Sequence, residues 1–216
     1  MKRIDLDTYP RRNHFNHFCA MAYPYAGVTV DVDVTDLLSL CREKGDSFYL
    51  MVLHAVALAA DDVPEFRRRI DHGGIVEYDE CPTSHIELKP DGTYAYCTLR
   101  HHMPLAEYLA QAESARTAAR EGGSIEEEDD VQSMYFISTL PWLHYTQLIQ
   151  PVACGEESNP RITWGKYESR DGRTTLPLTL MIHHGLADGL HIARFYERLQ
   201  QELENLSQFL QKYSKI

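Results

Sequence analysis

The stretch LTLMIHHGLADGLHIARF, residues 178–195, gathers His183, His184, Asp188 and His191, a dense set of groups able to move a proton. An imidazole is the side chain best matched to proton exchange near neutral pH. The apolar run Leu176–Ile182 predicts a buried strand, and the two histidines follow at its C-terminal end. Neighbours on a strand face opposite ways, so one histidine can pack while the other faces a cleft. Gly185 and Gly189 flank a turn, and Asp188 precedes a helix from about Leu190, where a carboxylate caps the chain and meets the helix dipole. Three chemistries fit these residues. The first is a packed histidine beside a capping aspartate. The second is a metal site from His184, Asp188 and His191, but two glycines make the helix it needs hard to sustain. The third is a catalytic histidine.

The flanking chain predicts the elements that would position such a site. GVTVDVDVTDLL alternates, with Val28, Val30, Val32 and Val34 on one side and Thr29, Asp31 and Asp33 on the other, a half-buried strand with its acids toward water. Phe48–Ala60 is apolar nearly all round and predicts a buried helix that stops before Pro64. GIVEY, SHIEL and TYAYCTL follow as short strands, the last two joined through Asp91-Gly92, a hairpin dipeptide. Residues 104–120 place Leu105, Tyr108, Leu109 and Ala112 at helical spacing, and 122–130 reads as a solvated acidic loop. MYFISTLPWLHYTQLI, RITWGKYE and TTLPLTLMIHH read as strands. Leu190–Tyr213 predicts an amphipathic helix with Ile192, Phe195, Leu199, Leu203, Leu206 and Leu210 on one stripe. Strands interspersed with helices predict an α/β fold, an α+β sandwich in which helices pack on a mixed sheet, as one domain over 1–216.

Composition narrows the function. A net charge of −11 over 216 residues disfavours nucleic acid as a partner. No apolar stretch is long enough for a membrane span, and the first residues lack a signal-peptide core. Cys19, Cys41, Cys81, Cys97 and Cys154 form no C-x-x-C pair, which predicts buried reduced thiols in a cytoplasmic protein without a metal centre.

HHGLADG fits His-His-x-x-x-Asp-Gly, and with it the chain resembles the chloramphenicol acetyltransferase family of coenzyme A-dependent acyltransferases. The resemblance extends in order through RIDLDTYPRRNHF, FYLMVLHAVALAADDVPEFR, ISTLPW, ITWGKY and HHGLADGLHIARFYERLQ, over nearly the whole chain. It implies an acetyl-CoA-dependent O-acetyltransferase that acetylates a hydroxyl, the chloramphenicol 3-hydroxyl first among acceptors, without an acyl-enzyme and without a bound cofactor. His184 would be the general base and Ser138 the donor to the oxyanion. Arg11, or Arg12 if the register slips, would pair with Asp188 to hold the histidine turn. Lys166 and Tyr167 match coenzyme A-contacting positions, and Trp142 and Tyr49 would line the same tunnel. Thr163 would stand on the acceptor side.

The resemblance also implies a homotrimer with its sites between subunits. The aromatic-rich stretch HFNHFCAMAYPYAG lies far along the chain from His184, so it is expected to reach the site from a neighbouring subunit. His17 and Phe18, in that stretch, depart from the family pattern at acceptor-lining positions, as do His85 and Tyr94, and Phe136 replaces a common asparagine. These departures spare the catalytic positions and alter the pocket. Rival readings are transfer to a different alcohol, the catalytic domain of a dihydrolipoamide acyltransferase, and a binding homologue that has lost its chemistry.

Overall fold

In a computed structural model, which describes residues 1–126, 130–153 and 156–212, a mixed sheet carries helices on one face. The strands are β1 (Lys2–Ile4), β2 (Tyr25–Asp33), β3 (Arg68–Asp71), β4 (Gly74–Glu77), β5 (Thr83–Leu88), β6 (Tyr94–Leu99), β7 (Tyr135–Leu140), β8 (Arg161–Gly165), β9 (Glu168–Arg170) and β10 (Arg173–His183). The α-helices are α1 (Arg12–Cys19), α2 (Thr35–Lys44), α3 (Phe48–Asp61), α4 (Leu105–Gly122) and α5 (Gly189–Lys212). The large sheet runs β2-β10-β8-β7-β5-β6, with β9 paired to β10. β7 lies parallel to both β5 and β8, and the other pairs are antiparallel. β1, β4 and β3 form a small antiparallel sheet beside it.

The core follows from the apolar segments. α3 is capped by the Ser47 hydroxyl, which accepts from the Leu50 N–H, and Leu50–Ala57 is almost wholly enclosed. α5 packs along α3 with Phe195, Leu199, Leu203 and Leu210 buried, while its opposite face stays polar. β10 is central and buried on both faces, so it reads as a nearly continuous apolar run. Gly92 turns the β5–β6 hairpin at φ +84°, a region open to glycine at no steric cost.

Three expectations need correction. In β2, Val28 and Val30 are 43% and 37% exposed, and Val32 is the one buried valine of the strand. β2 is an edge strand, and the helix layer covers only part of it. The segment after Leu140 leaves the sheet, because Pro141 has no N–H for a ladder, and 141–153 runs as turns and loop across the face opposite the helices. Cys19 is exposed, whereas Cys41, Cys81 and Cys97 are buried as reduced thiols. Cys154, residues 127–129 of the acidic loop and Tyr213 lie outside the described residues.

Candidate active site

His183 ends β10 and is buried, its Nδ1 accepting from the Gly185 N–H at 3.2 Å. His184 leaves the strand, and its own N–H donates to the Pro24 carbonyl at 2.7 Å, anchoring the turn to the start of β2. Its ring is half-buried and stacks on Phe18 at 3.8 Å between centroids and 6° between planes. His17 meets Phe18 edge-on at 5.1 Å. The aromatic stretch expected from a neighbouring subunit thus reaches His184 within its own chain. α1 folds back on the histidine turn because Phe15 sinks into a small core with Tyr9, Ile70, Ile75 and Leu186.

The turn is pinned below the ring. An Arg11 Nη1 hydrogen donates to Asp188 Oδ2, and Arg12 turns away to Asp7 at 2.7 Å. Asp188 Oδ1 accepts from the Leu190 N–H at 3.1 Å, capping α5, and meets His191 Nδ1 at 2.8 Å. Partial burial alone would raise the Asp188 pKa. The Arg11 hydrogen bond and charge, His191 and the Leu190 N–H outweigh it and hold the carboxyl down at about 2. His184, Asp188 and His191 do not gather as a trio of potential metal ligands among the described residues.

The sheet register lines up a polar row on the face away from the helices. Thr29 pairs with Thr179, Thr179 with Thr163, and Thr163 with Ser138. The Thr29 and Thr179 hydroxyls share a 2.7 Å hydrogen bond, and Gln150 Nε2 donates to the Thr163 hydroxyl at 2.9 Å. Tyr145 donates to the Thr163 carbonyl at 2.7 Å. Two cavities open along the row, both bordered by Gln150 and Pro151. One of about 810 Å³ lies over Thr29 and Thr179, and one of about 400 Å³ lies over Ser138.

Sequence reasoning passed over two lining groups. Arg161, at register with Phe136, lays its guanidinium over that ring at 4.8 Å and pairs with Glu157. Its signal was a charged residue two before Thr163, on the same strand face, in an otherwise apolar strand. Gln150 had no signal of its own.

His184 and Ser138 are not brought together within the chain. Two strand spacings and five residues of strand separate them, roughly 19 Å at ordinary sheet dimensions. Nor do the remaining candidates form one group. Lys166 and Trp142 share a corner, because the Lys166 N–H donates to the Leu143 carbonyl at 2.7 Å and Trp142 stands 66% exposed beside it. Gly165 permits that close approach, since a Cβ there would come within 2.5 Å of the Leu143 oxygen. The Tyr167 hydroxyl accepts from Arg42 at 2.9 Å, and its ring meets Phe48 at 5.9 Å, at the N-terminal end of α3.

Tyr49 lies on the helix side of the sheet, against Trp164 at 5.8 Å and under the Arg116 guanidinium at 4.8 Å. His85 is buried on that same side, 3.4 Å from Glu87, because its register partner Ile137 faces opposite to Ser138. This sets His85 apart from Phe18, His17 and Thr163, the acceptor residues with which the sequence grouped it. Tyr94 is exposed on the edge strand β6, beside Tyr96.

The family model for chloramphenicol acetyltransferase matches residues 1–200 of this chain. A chloramphenicol acetyltransferase of Streptomyces acrimycini is 31% identical over 91% of this chain and 91% of its own length. Chloramphenicol acetyltransferase 2 of Escherichia coli is 25% identical over 94% of this chain and 97% of its own. A solved chloramphenicol acetyltransferase structure superposes with a TM-score of 0.87 at 28% identity, covering 94% of this chain and 99% of that one. No helix among the described residues is long and apolar enough to cross a membrane.

Proposed function

Because this chain belongs to the chloramphenicol acetyltransferase family, an acyltransferase enzyme family, we propose that it transfers acetyl from acetyl-CoA directly to a hydroxyl of a small acceptor, with His184 as general base. The observation that carries this reading is the mounting of His184. Its ring is clamped by Phe18, and its turn is pinned at Pro24 and by the Arg11–Asp188 pair. A base held this firmly loses little freedom on reaching the acceptor. His184 takes the hydroxyl proton as the acceptor oxygen attacks the thioester carbonyl. Ser138 donates to the resulting oxyanion. Collapse expels the coenzyme A thiolate, which recovers the proton from the imidazolium.

The separation of His184 from Ser138 supports a site assembled between chains. In a cyclic trimer one subunit contributes His184, with Phe18 and His17, and its neighbour contributes Ser138 and Thr163. Lys166 and Trp142 serve coenzyme A from the corner at the end of β8, Tyr167 serves it from the N-terminal end of α3, and Arg42 adds a cation beside Tyr167 for a phosphate. Tyr49 and His85 act from behind the sheet as packing rather than lining. The acceptor hydroxyl is first sought on chloramphenicol. Arg161, itself paired with Glu157, makes the cavity over Ser138 more polar than a purely apolar acceptor requires, so other alcohols belong in the same panel.

The test is release of coenzyme A thiol from acetyl-CoA against that panel, with mass spectrometry of the product. His184→Ala should lose turnover on the order of 10²–10⁴-fold while remaining folded and binding acetyl-CoA. Near-normal turnover in that variant would remove the mechanism.

A further inference from the structure

Away from the proposed site, Asp61 at the end of α3 meets His101 and His102 from the connection between β6 and α4. Both Nε2 atoms converge on one carboxylate oxygen, Oδ2, at 2.9 and 2.7 Å, and Tyr135 donates to Oδ1 at 2.7 Å. The three potential ligand atoms all lie within 4.8 Å of one another, the only such trio among the described residues. We propose that Asp61, His101 and His102 form a structural site for a borderline divalent transition ion of the zinc or cobalt(II) class.

The donor set selects the ion. Two imidazole nitrogens and one carboxylate suit zinc, cobalt or nickel, whereas magnesium and calcium prefer oxygen throughout. The geometry is close to what such an ion needs. Metal–ligand bonds of about 2.0–2.1 Å at tetrahedral angles place ligand atoms roughly 3.3 Å apart, so each nitrogen must withdraw from Oδ2 by about half an ångström while the two nitrogens settle at the same spacing. The ion would be bound by each neutral imidazole in the tautomer that carries its proton on Nδ1, which leaves the Nε2 lone pair free as the ligand. Asp61 and His101 are 6% and 2% exposed, which shields the ion, while His102 at 46% gives it a path from solvent and leaves water a fourth position.

Two imidazoles from adjacent residues present Nε2 to the same carboxylate oxygen, the arrangement a chelate needs. Such an ion would tie the end of α3 to the connection before α4. Through Tyr135, three residues before Ser138, it would also brace β7. This inference stands apart from the acetyl-transfer proposal.

The experiment uses the full chain, stripped with a chelator and titrated with cobalt(II) or zinc alone. One ion per chain is expected, with the visible absorption of four-coordinate cobalt(II) and a thermal midpoint that rises with added zinc. His102→Ala changes an exposed side chain, so it should fold, and it should weaken binding at least tenfold and abolish the shift in midpoint. Asp61→Asn should do the same if it folds. His184→Ala should bind as the parent does. No saturable binding, equal affinity in His102→Ala, or loss of binding in His184→Ala would each overturn the assignment.

Discussion

Removing either partner of the Arg11–Asp188 pair should damage the protein unequally, and the inequality can be worked from the surroundings. The side chains are 18% and 32% exposed, so the pair is neither a surface bridge nor a sealed one. Arg11 Nε and Nη2 are enclosed without a hydrogen-bond partner among the described residues. Asp188→Ala therefore strands a largely desolvated guanidinium and also removes the cap on the Leu190 N–H, a loss of about 2–3 kcal/mol. Arg11→Ala leaves Asp188 still bonded to Leu190 and His191, and should cost ~1 kcal/mol. The double change should cost little more than Asp188→Ala alone, a coupling of about 1 kcal/mol. Urea unfolding of the four proteins at one protein concentration measures the cycle, and thiol release measures the effect on turnover. Each single variant should also slow the reaction, because the turn that carries His184 loosens. Strictly additive stabilities and rates would show that Arg11 and Asp188 do not act as one unit.

Ser138→Ala should lower turnover on the order of 10²-fold with acetyl-CoA affinity retained, and an unchanged turnover would remove Ser138 from the oxyanion. Glu87→Gln should destabilise the fold by roughly 3 kcal/mol in chemical unfolding, because it strips the buried partner from Arg116 and Arg120. Burial would raise the Glu87 pKa, but bonds from His85, Arg116 and Arg120 hold it down at about 2. A depressed carboxylate gives its stability in full above its unfolded pKa near ~4 and loses it as pH falls to the folded value. Wild type should thus weaken between about pH 4 and pH 2 and Glu87→Gln less steeply; parallel acid-unfolding curves would exclude Glu87 as a contributor.

The parts of this molecule legible from sequence are those dictated by local periodicity. The apolar run of α3 could be nothing but an enclosed helix, and Asp91-Gly92 asks for the positive φ that Gly92 adopts. The faces of β2 were not legible, because alternation says which residues share a side and not whether a helix covers it. Strand order is equally silent in the sequence. Only the arrangement β2-β10-β8-β7 brings Thr29, Thr179, Thr163 and Ser138 into one row from four distant segments. The same register sends His85 to the back of the sheet. The path of α1 was missed for a related reason. The anchor that folds Phe18 onto His184 is Phe15 in its own small core, a tertiary contact with no mark in the local pattern.

A site shared between chains would unite His184 of one subunit with Ser138 of the next. Neither His184→Ala nor Ser138→Ala alone should show more than residual turnover. The two proteins can be unfolded together in equal amounts, refolded as a mixture and assayed for thiol release. In a cyclic trimer each mixed assembly has one interface that joins an intact His184 to an intact Ser138, so about a quarter of the wild-type sites should return. Recovery near that fraction would support a shared site. Mixed trimers that stay at the level of the separate variants would contradict it and would require both residues to serve one substrate within a single chain.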